Sequence, residues 1–136
     1  MPSHTHHEVF LHLVWRTYGD RPLLRSEVRE RVHGHIRRGC AKTRGVFFHA
    51  VGGTEDHVHV VINVEPRIRI SDVVKTLKGA SSYDIPEISW QRGYGVVSFS
   101  ADQLGYVVRY VENQMERHRK GRLTETLEKS HAPPPG

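Results

Sequence analysis

The sequence predicts an α+β fold built on a four-stranded sheet, and three observations support that prediction. The chain has 136 residues and a single cysteine, Cys40, which fits one domain without an internal disulfide or a cysteine-rich zinc site. Its hydrophobic content of 37% suffices for one core, and no apolar run approaches the ~20 residues of a membrane span. Short β-branched runs alternate with segments whose apolar residues recur at helical spacing.

The first half of the chain places one helix between two strands. A β-branched and aromatic run at residues 9–15 predicts the first strand. Ser26 is a suitable cap for a helix, and apolar residues then follow at every fourth position. These residues are Val28, Val32, Ile36 and Cys40. Residues 46–51 predict a second strand, and the glycine pair Gly52-Gly53 predicts the turn after it.

The third predicted strand, residues 57–64, has a strict alternation. Neighbouring side chains of a strand point to opposite faces of the sheet. One face therefore receives His57, His59, Val61 and Asn63, and the other receives Val58, Val60, Ile62 and Val64. The sequence thus predicts an apolar face and a second face that carries a pair of histidines.

The second half of the chain completes the pattern. Ser71 predicts the cap of a helix through Ser82, residues 86–94 a loop, and residues 95–99 a fourth strand. Residues 100–103 resemble a capping box that opens a last helix. The apolar stripe of that helix is Leu104, Val107, Val108, Val111 and Met115. This order is the ferredoxin-like βαββαβ arrangement, an antiparallel sheet with helices on one face, plus a C-terminal helix.

Charge and composition indicate where the domain acts. Lys and Arg number 20 against 15 Asp and Glu, and the resulting charge of +5 suits a polyanionic partner such as nucleic acid. The N-terminus lacks the layout of a signal peptide. We therefore expect a small intracellular protein, located in the cytoplasm, with no membrane contact. The domain is predicted to cover residues 1–125, and residues 126–136 to form a flexible, Pro-rich tail.

Two short motifs could carry chemistry. His57 and His59 share one strand face, so both imidazoles can reach one metal ion. Tyr110 and Gln114 lie one turn apart on the last helix, and a Gln amide oxygen suits Mg²⁺ or Mn²⁺. Each motif also has a plainer interpretation: two histidines on a solvated sheet face, a half-buried tyrosine and a solvated glutamine.

The ordered set of motifs resembles the single-tyrosine HUH transposases of the IS200/IS605 type and their repeat-associated tyrosine transposase relatives. The resemblance covers roughly residues 7 to 125. Its segments are HLVW at 12–15, DHVHVV at 56–61, LKGASS at 77–82, WQRGYG at 90–95 and YVENQ at 110–114. One departure concerns His118, which follows Arg117 where relatives often have paired histidines, so we assign it no ligand role.

The resemblance implies a mechanism and a C-terminal catalytic helix. His57, His59 and Gln114 would hold one Mg²⁺ or Mn²⁺ at the scissile phosphate. Tyr110 would attack as nucleophile and leave a 5′-phosphotyrosine and a free 3′-OH, which a second 3′-OH would reverse. The expected substrate is single-stranded DNA with a hairpin at an element's end, and the location that the resemblance implies is the cytoplasm, in association with the nucleoid. The expected assembly is a homodimer in which one protomer's tyrosine helix can act in trans.

Several assignments around the proposed site stay open. Tyr106 and Tyr110 also have the spacing of two-tyrosine enzymes, but Gln114 favours Tyr110 as the nucleophile. Asp56 could orient an imidazole or serve the turn. Candidate DNA contacts are basic and aromatic residues, each of which could instead be an ordinary surface or core residue. They are Arg16, Lys75, Lys78, Trp90, Arg92, Tyr94, Tyr106, Arg109 and Arg117.

Two other classes of protein fit part of the sequence. A non-catalytic module that binds single-stranded nucleic acid could share the same topology, although residues 46–49 match an RNA-recognition motif poorly. A 2H-type phosphoesterase needs two His-x-Thr/Ser motifs, and residues 4–6 and 57–59 fail at the third position. A reduced or domesticated role for a transposase is also open.

Overall fold

The computed structural model describes residues 8–114. Four strands and three helices follow one another along this part of the chain. In chain order they are β1 (Val9–Arg16), α1 (Ser26–Lys42), β2 (Val46–Gly53), β3 (His57–Val64), α2 (Ile70–Asp84), β4 (Gly95–Phe99) and α3 (Leu104–Glu112). A 3-10 turn at Ala101–Gln103 leads into α3. No described helix is long and apolar enough to cross a membrane.

The sheet has the strand order β2-β3-β1-β4, and each neighbouring pair is antiparallel. The chain leaves β1 through α1 and returns on β2, so β3 lies between the two strands that this helix connects. This is the arrangement of a split βαβ unit. The predicted α+β, ferredoxin-like sheet is therefore confirmed, and it places β3 and β1 at the centre.

The helices cover both faces of the sheet. On one face, Leu13, Val60 and Ile62 are fully buried against Val32 and Ile36 of α1 and against residues of α2. On the opposite face, α3 packs Val107, Tyr110 and Val111 onto Ala50 and Val61. The alternation along β3 therefore separates a large apolar core from a smaller core under α3.

The ends of several elements differ from the predictions. Gly52 and Gly53 belong to β2 and pair with β3, so the turn falls on residues 54–56. Helix α1 begins at Ser26 and α2 at Ile70, and neither has a side-chain cap. The Ser100 hydroxyl donates to the Asp102 carboxylate and accepts no capping bond from a backbone N–H, so the predicted capping box does not form. Met115 lies outside the described residues.

Candidate active site

The two strand histidines lie in the interior under α3. His57 and His59 are 2% and 0% exposed, and their ring centroids are 5.0 Å apart. Because residues two apart on a strand share a face, the regular geometry of β3 alone brings both imidazoles to one place. Their burial rules out the plainer interpretation of two histidines on a solvated sheet face.

Helix α3 brings Tyr110 to the same place. Tyr110 is 1% exposed, and its ring stands perpendicular to the His59 ring at a centroid distance of 6.0 Å. Gln114, which the sequence placed on the last helix, lies two residues beyond the end of α3 at Glu112 and is 0% exposed. The buried tyrosine therefore lies beside the histidine pair, and each buried polar group here, the Gln114 amide included, needs a partner inside the protein.

A third histidine, His12 of β1, belongs to this site, and sequence reasoning assigned it no role. His12 is 0% exposed, and its Nε2 lies 2.7 Å from His59 Nδ1. The two rings are tilted relative to each other, and their centroids are 4.9 Å apart. A signal was present in the sequence, because His12 interrupts an apolar strand at a position opposite in phase to Leu11 and Leu13.

Asp56, the residue immediately before β3, forms a hydrogen bond with the ring of His57. His57 Nδ1 and Asp56 Oδ1 are 2.7 Å apart, and the Thr54 hydroxyl donates to the same carboxylate oxygen at 3.2 Å. The pKa of Asp56 is lowered, chiefly by its hydrogen bond with His57 and further by Thr54 and the Arg16 guanidinium, against the opposing effect of burial. Asp56 therefore combines both roles left open, ring orientation and a turn contact.

A glycine on β2 allows α3 to dock so closely. Gly52 pairs with His59 in the sheet. A Cβ atom at Gly52 would lie 1.9 Å from the backbone oxygen of Val111, far inside van der Waals contact. The missing side chain thus lets the end of α3 lie directly on the strand beside His59, which fixes the position of Tyr110 relative to the histidines.

The donor set defines what this site could bind. Among residues 8–114, no three His, Cys, Asp or Glu side chains are grouped to hold a metal ion. Two imidazoles and one amide oxygen, those of His57, His59 and Gln114, are nevertheless suitable donors for a divalent cation. The Nδ1 atoms of both imidazoles already face Asp56 and His12, so Nε2 is the atom with which each ring would bind.

Several predicted DNA-contacting residues hold the fold together. The Lys78 ammonium donates to the backbone oxygens of Gln91 and Gly93 at 2.8 and 3.0 Å. Trp90 packs edge-on against Trp15 and donates its indole N–H to Ser81. Burial of Lys78 lowers its pKa. These contacts anchor the loop before β4, and they leave DNA binding by Lys78 and Trp90 as a prediction.

The other predicted contacts lie nearer the surface. Arg16 is half-buried, 3.5 Å from Asp20 and 3.9 Å from Asp56. Lys75, Arg92, Tyr106 and Arg109 are exposed, and Tyr94 is half-buried. Arg117 and His118 lie outside the described residues.

Comparisons with known proteins agree on one family. The family model described as "Transposase IS200 like" matches residues 5–114. The ISDra2 transposase TnpA of Deinococcus radiodurans is 26% identical over 118 residues, which covers 78% of this chain and 84% of the relative.

Two solved structures have the same fold. A crystal structure described as that of a transposase from Deinococcus radiodurans superimposes with a TM-score of 0.64 at 25% identity. The match covers 84% of this chain and 96% of the chain in that crystal structure. A REP-associated tyrosine transposase bound to a REP hairpin gives a TM-score of 0.65 at 13% identity. This match covers 87% of this chain and 74% of the other chain. The family match spans most of the chain, including the histidine strand and the tyrosine helix, and the chain therefore belongs to the IS200-like transposase family.

Proposed function

We propose that this transposase nicks and rejoins single-stranded DNA at hairpin-marked ends through a 5′-phosphotyrosine at Tyr110. The observation that carries the proposal is the placement of Tyr110 over the buried histidine pair, with its ring perpendicular to His59 at 6.0 Å. One structural neighbour is described as bound to a REP hairpin, which supports a hairpin as the substrate class here.

A divalent cation, Mg²⁺ or Mn²⁺, completes the proposed site. His57, His59 and Gln114 would hold it, and when bound it would neutralise charge on the scissile phosphate and polarise phosphorus. The three side chains fit this role because they offer neutral nitrogen and oxygen donors, and Asp56 and His12 already orient the two rings.

Tyr110 performs the covalent step. Its phenol oxygen bonds to phosphorus and loses its proton, while the bond from phosphorus to the 3′-oxygen breaks and that oxygen leaves as a 3′-OH. Because a phenol has a pKa near 10, the phenolate is a good leaving group in the reverse reaction. An incoming 3′-OH then attacks the phosphotyrosine, which rejoins the strands without an external energy source.

The burial of Tyr110 bears on how DNA reaches it. At 1% exposure the phenol sits beneath the docked helix, so a phosphate can reach it only if α3 shifts. The connection between Phe99 and Leu104 contains a 3-10 turn without a side-chain cap. We propose that α3 moves about this connection, and that in a homodimer it serves its own or the partner's histidines.

A single assay separates this proposal from its alternatives. Full-length protein is incubated with a labelled single-stranded hairpin oligonucleotide and Mg²⁺ or Mn²⁺, then denatured and resolved by electrophoresis. A covalent protein–DNA adduct that requires the cation supports the proposal. A non-catalytic binding module would shift the oligonucleotide under native conditions without any adduct, and a phosphoesterase would cleave it without one. Either result would contradict the proposal.

A further inference from the structure

We propose that His12 is a positioning residue that fixes the tautomer of His59 and so prepares its Nε2 atom to bind the cation. The inference deepens the proposed function and rests on it. It concerns a buried histidine on β1, a different strand from the histidine pair, whose Nε2 lies 2.7 Å from His59 Nδ1.

The distance between the two nitrogens demands a single proton between them. A nitrogen–nitrogen contact of 2.7 Å is a hydrogen bond only when one ring donates and the other accepts. If His12 donated, His59 would carry its own proton on Nε2 and could not bind a cation there. If His59 donates from Nδ1, its Nε2 keeps a lone pair. Only the second arrangement serves the proposed site.

The fold holds His12 firmly enough for this role. Its strand neighbours Leu11 and Leu13 are buried at 3% and 0% exposure in the opposite core. The residues paired with it across the sheet are Val61 of β3 and Val97 of β4. The His12 ring also packs edge-on against the Tyr110 ring, with a centroid distance of 6.3 Å. A side chain on the central strand, enclosed on both sides, gives His59 an acceptor in a fixed direction.

The two proposed ligands therefore have acceptors of different charge. His57 Nδ1 lies 2.7 Å from the Asp56 carboxylate, whose side chain is 35% exposed, whereas His59 faces the fully buried imidazole of His12. A carboxylate makes an imidazole a stronger electron donor than a neutral ring does. Pairing His59 with His12 fixes its tautomer without placing a second negative charge in the interior.

Two matched substitutions test the inference. In His12→Gln, the amide oxygen can replace the accepting ring nitrogen, whereas His12→Leu fills the space without an acceptor. The first measurement is the ¹⁵N chemical-shift pattern of His59 in the metal-free protein. We expect the proton on Nδ1 in wild type and His12→Gln, and its loss from that position in His12→Leu. A wild-type protein with the His59 proton on Nε2 would overturn the inference without any variant.

The second measurement is Mn²⁺ affinity by calorimetry, with His59→Ala as the reference for a lost ligand. Loss of an orienting partner of a metal ligand commonly weakens binding by roughly 10- to 100-fold. We expect that loss in His12→Leu and recovery in His12→Gln. If wild type binds Mn²⁺ and both His12 variants bind it equally well, the His12 inference fails alone. If wild type binds no better than His59→Ala, the proposed metal site itself fails.

Discussion

The two faces of the central strands show how one sheet divides stability from chemistry. Toward α1 and α2, β1 and β3 present aliphatic side chains such as Leu13, Val60 and Ile62. Toward α3, the alternate positions of the same strands present His12, His57 and His59, all nearly fully buried. The first face buries apolar area that stabilises the fold, whereas the second buries polar groups at a cost that only hydrogen bonds offset.

The difference has a practical consequence for mutagenesis. A substitution on the apolar face should act on folding, and an isosteric one on the α3 face should act on activity.

Truncation on the apolar face should be the most destabilising change. Leu13→Ala removes a fully buried side chain and should lower the free energy of unfolding by about 2–5 kcal/mol, because lost burial and a residual cavity add. Tyr110→Phe, which removes one hydroxyl on the other face, should cost roughly 0.5–1.5 kcal/mol. Urea denaturation of both variants measures this, and equal losses would contradict the division between the faces.

A methyl group at Gly52 should prevent α3 from docking. The new Cβ would lie 1.9 Å from the Val111 backbone oxygen. Because this oxygen belongs to the backbone, no change of side-chain rotamer can relieve the clash. Gly52→Ala should destabilise the protein by about 1–3 kcal/mol and reduce covalent adduct formation, measured by urea denaturation and the hairpin assay.

Gly79 provides the matched control for this experiment. It lies in α2, and a Cβ there would have no atom within 4 Å. Gly79→Ala should therefore stabilise the protein by roughly 0.5–1 kcal/mol through its better helix propensity. Unchanged stability and activity in Gly52→Ala would show that the close contact with α3 has no role.

His33 of α1 should make stability depend on pH. Burial, aided by Arg29 and Arg37, lowers its pKa from 6.5 to about 4. The folded protein therefore keeps this ring neutral, while the unfolded chain takes up a proton below pH 6.5. Stability should be fully present above pH 6.5 and fall toward pH 4, with a loss of about 1–2 kcal/mol by pH 5.

Urea denaturation at pH 7.5 and pH 5 measures this effect. The control is His33→Gln, which has no ionisable ring. Its free energy of unfolding should differ less between pH 7.5 and pH 5 than that of the wild type. An identical pH dependence in wild type and variant would assign the loss of stability to other groups.

An exposed charge should affect DNA binding without affecting the fold. Lys75 is exposed on α2, and Lys75→Ala should change stability by less than about 0.5 kcal/mol. If Lys75 contacts a phosphate, the variant should weaken binding to single strands and lower the salt dependence by about one ion. Fluorescence anisotropy at several salt concentrations measures both, with an unchanged salt slope excluding the contact.

The fold and the histidine pair could be predicted from local patterns, because alternation and helical spacing are properties of neighbouring residues. The strand of residues 57–64 and the face carried by His57 and His59 follow directly from the period of two. The same reasoning assigned Gly52 to a turn, because glycine pairs usually mark turns. Here Gly52 serves a contact with a helix some 60 residues later, as its approach to Val111 shows.

Contacts between distant segments were beyond sequence reasoning. The bond between His12 and His59 spans 47 positions, and although the phase of His12 in an apolar strand marks it as unusual, no local pattern names its partner. Lys78 and Trp90 matched a DNA-binding composition, yet they hold the loop before β4. Side chains of this kind suit either role, and only the packing of the chain shows which contacts they make.

The proposed function requires Tyr110, which lies over the histidine pair, to be the nucleophile. The most direct measurement is tandem mass spectrometry of the protein–DNA adduct after proteolysis, with Tyr106→Phe as the matched control because Tyr106 lies one turn earlier and is 42% exposed. We predict a phosphonucleotide on Tyr110 in wild type and Tyr106→Phe, and no adduct in Tyr110→Phe. An adduct on Tyr106, or one that persists in Tyr110→Phe, would contradict the account.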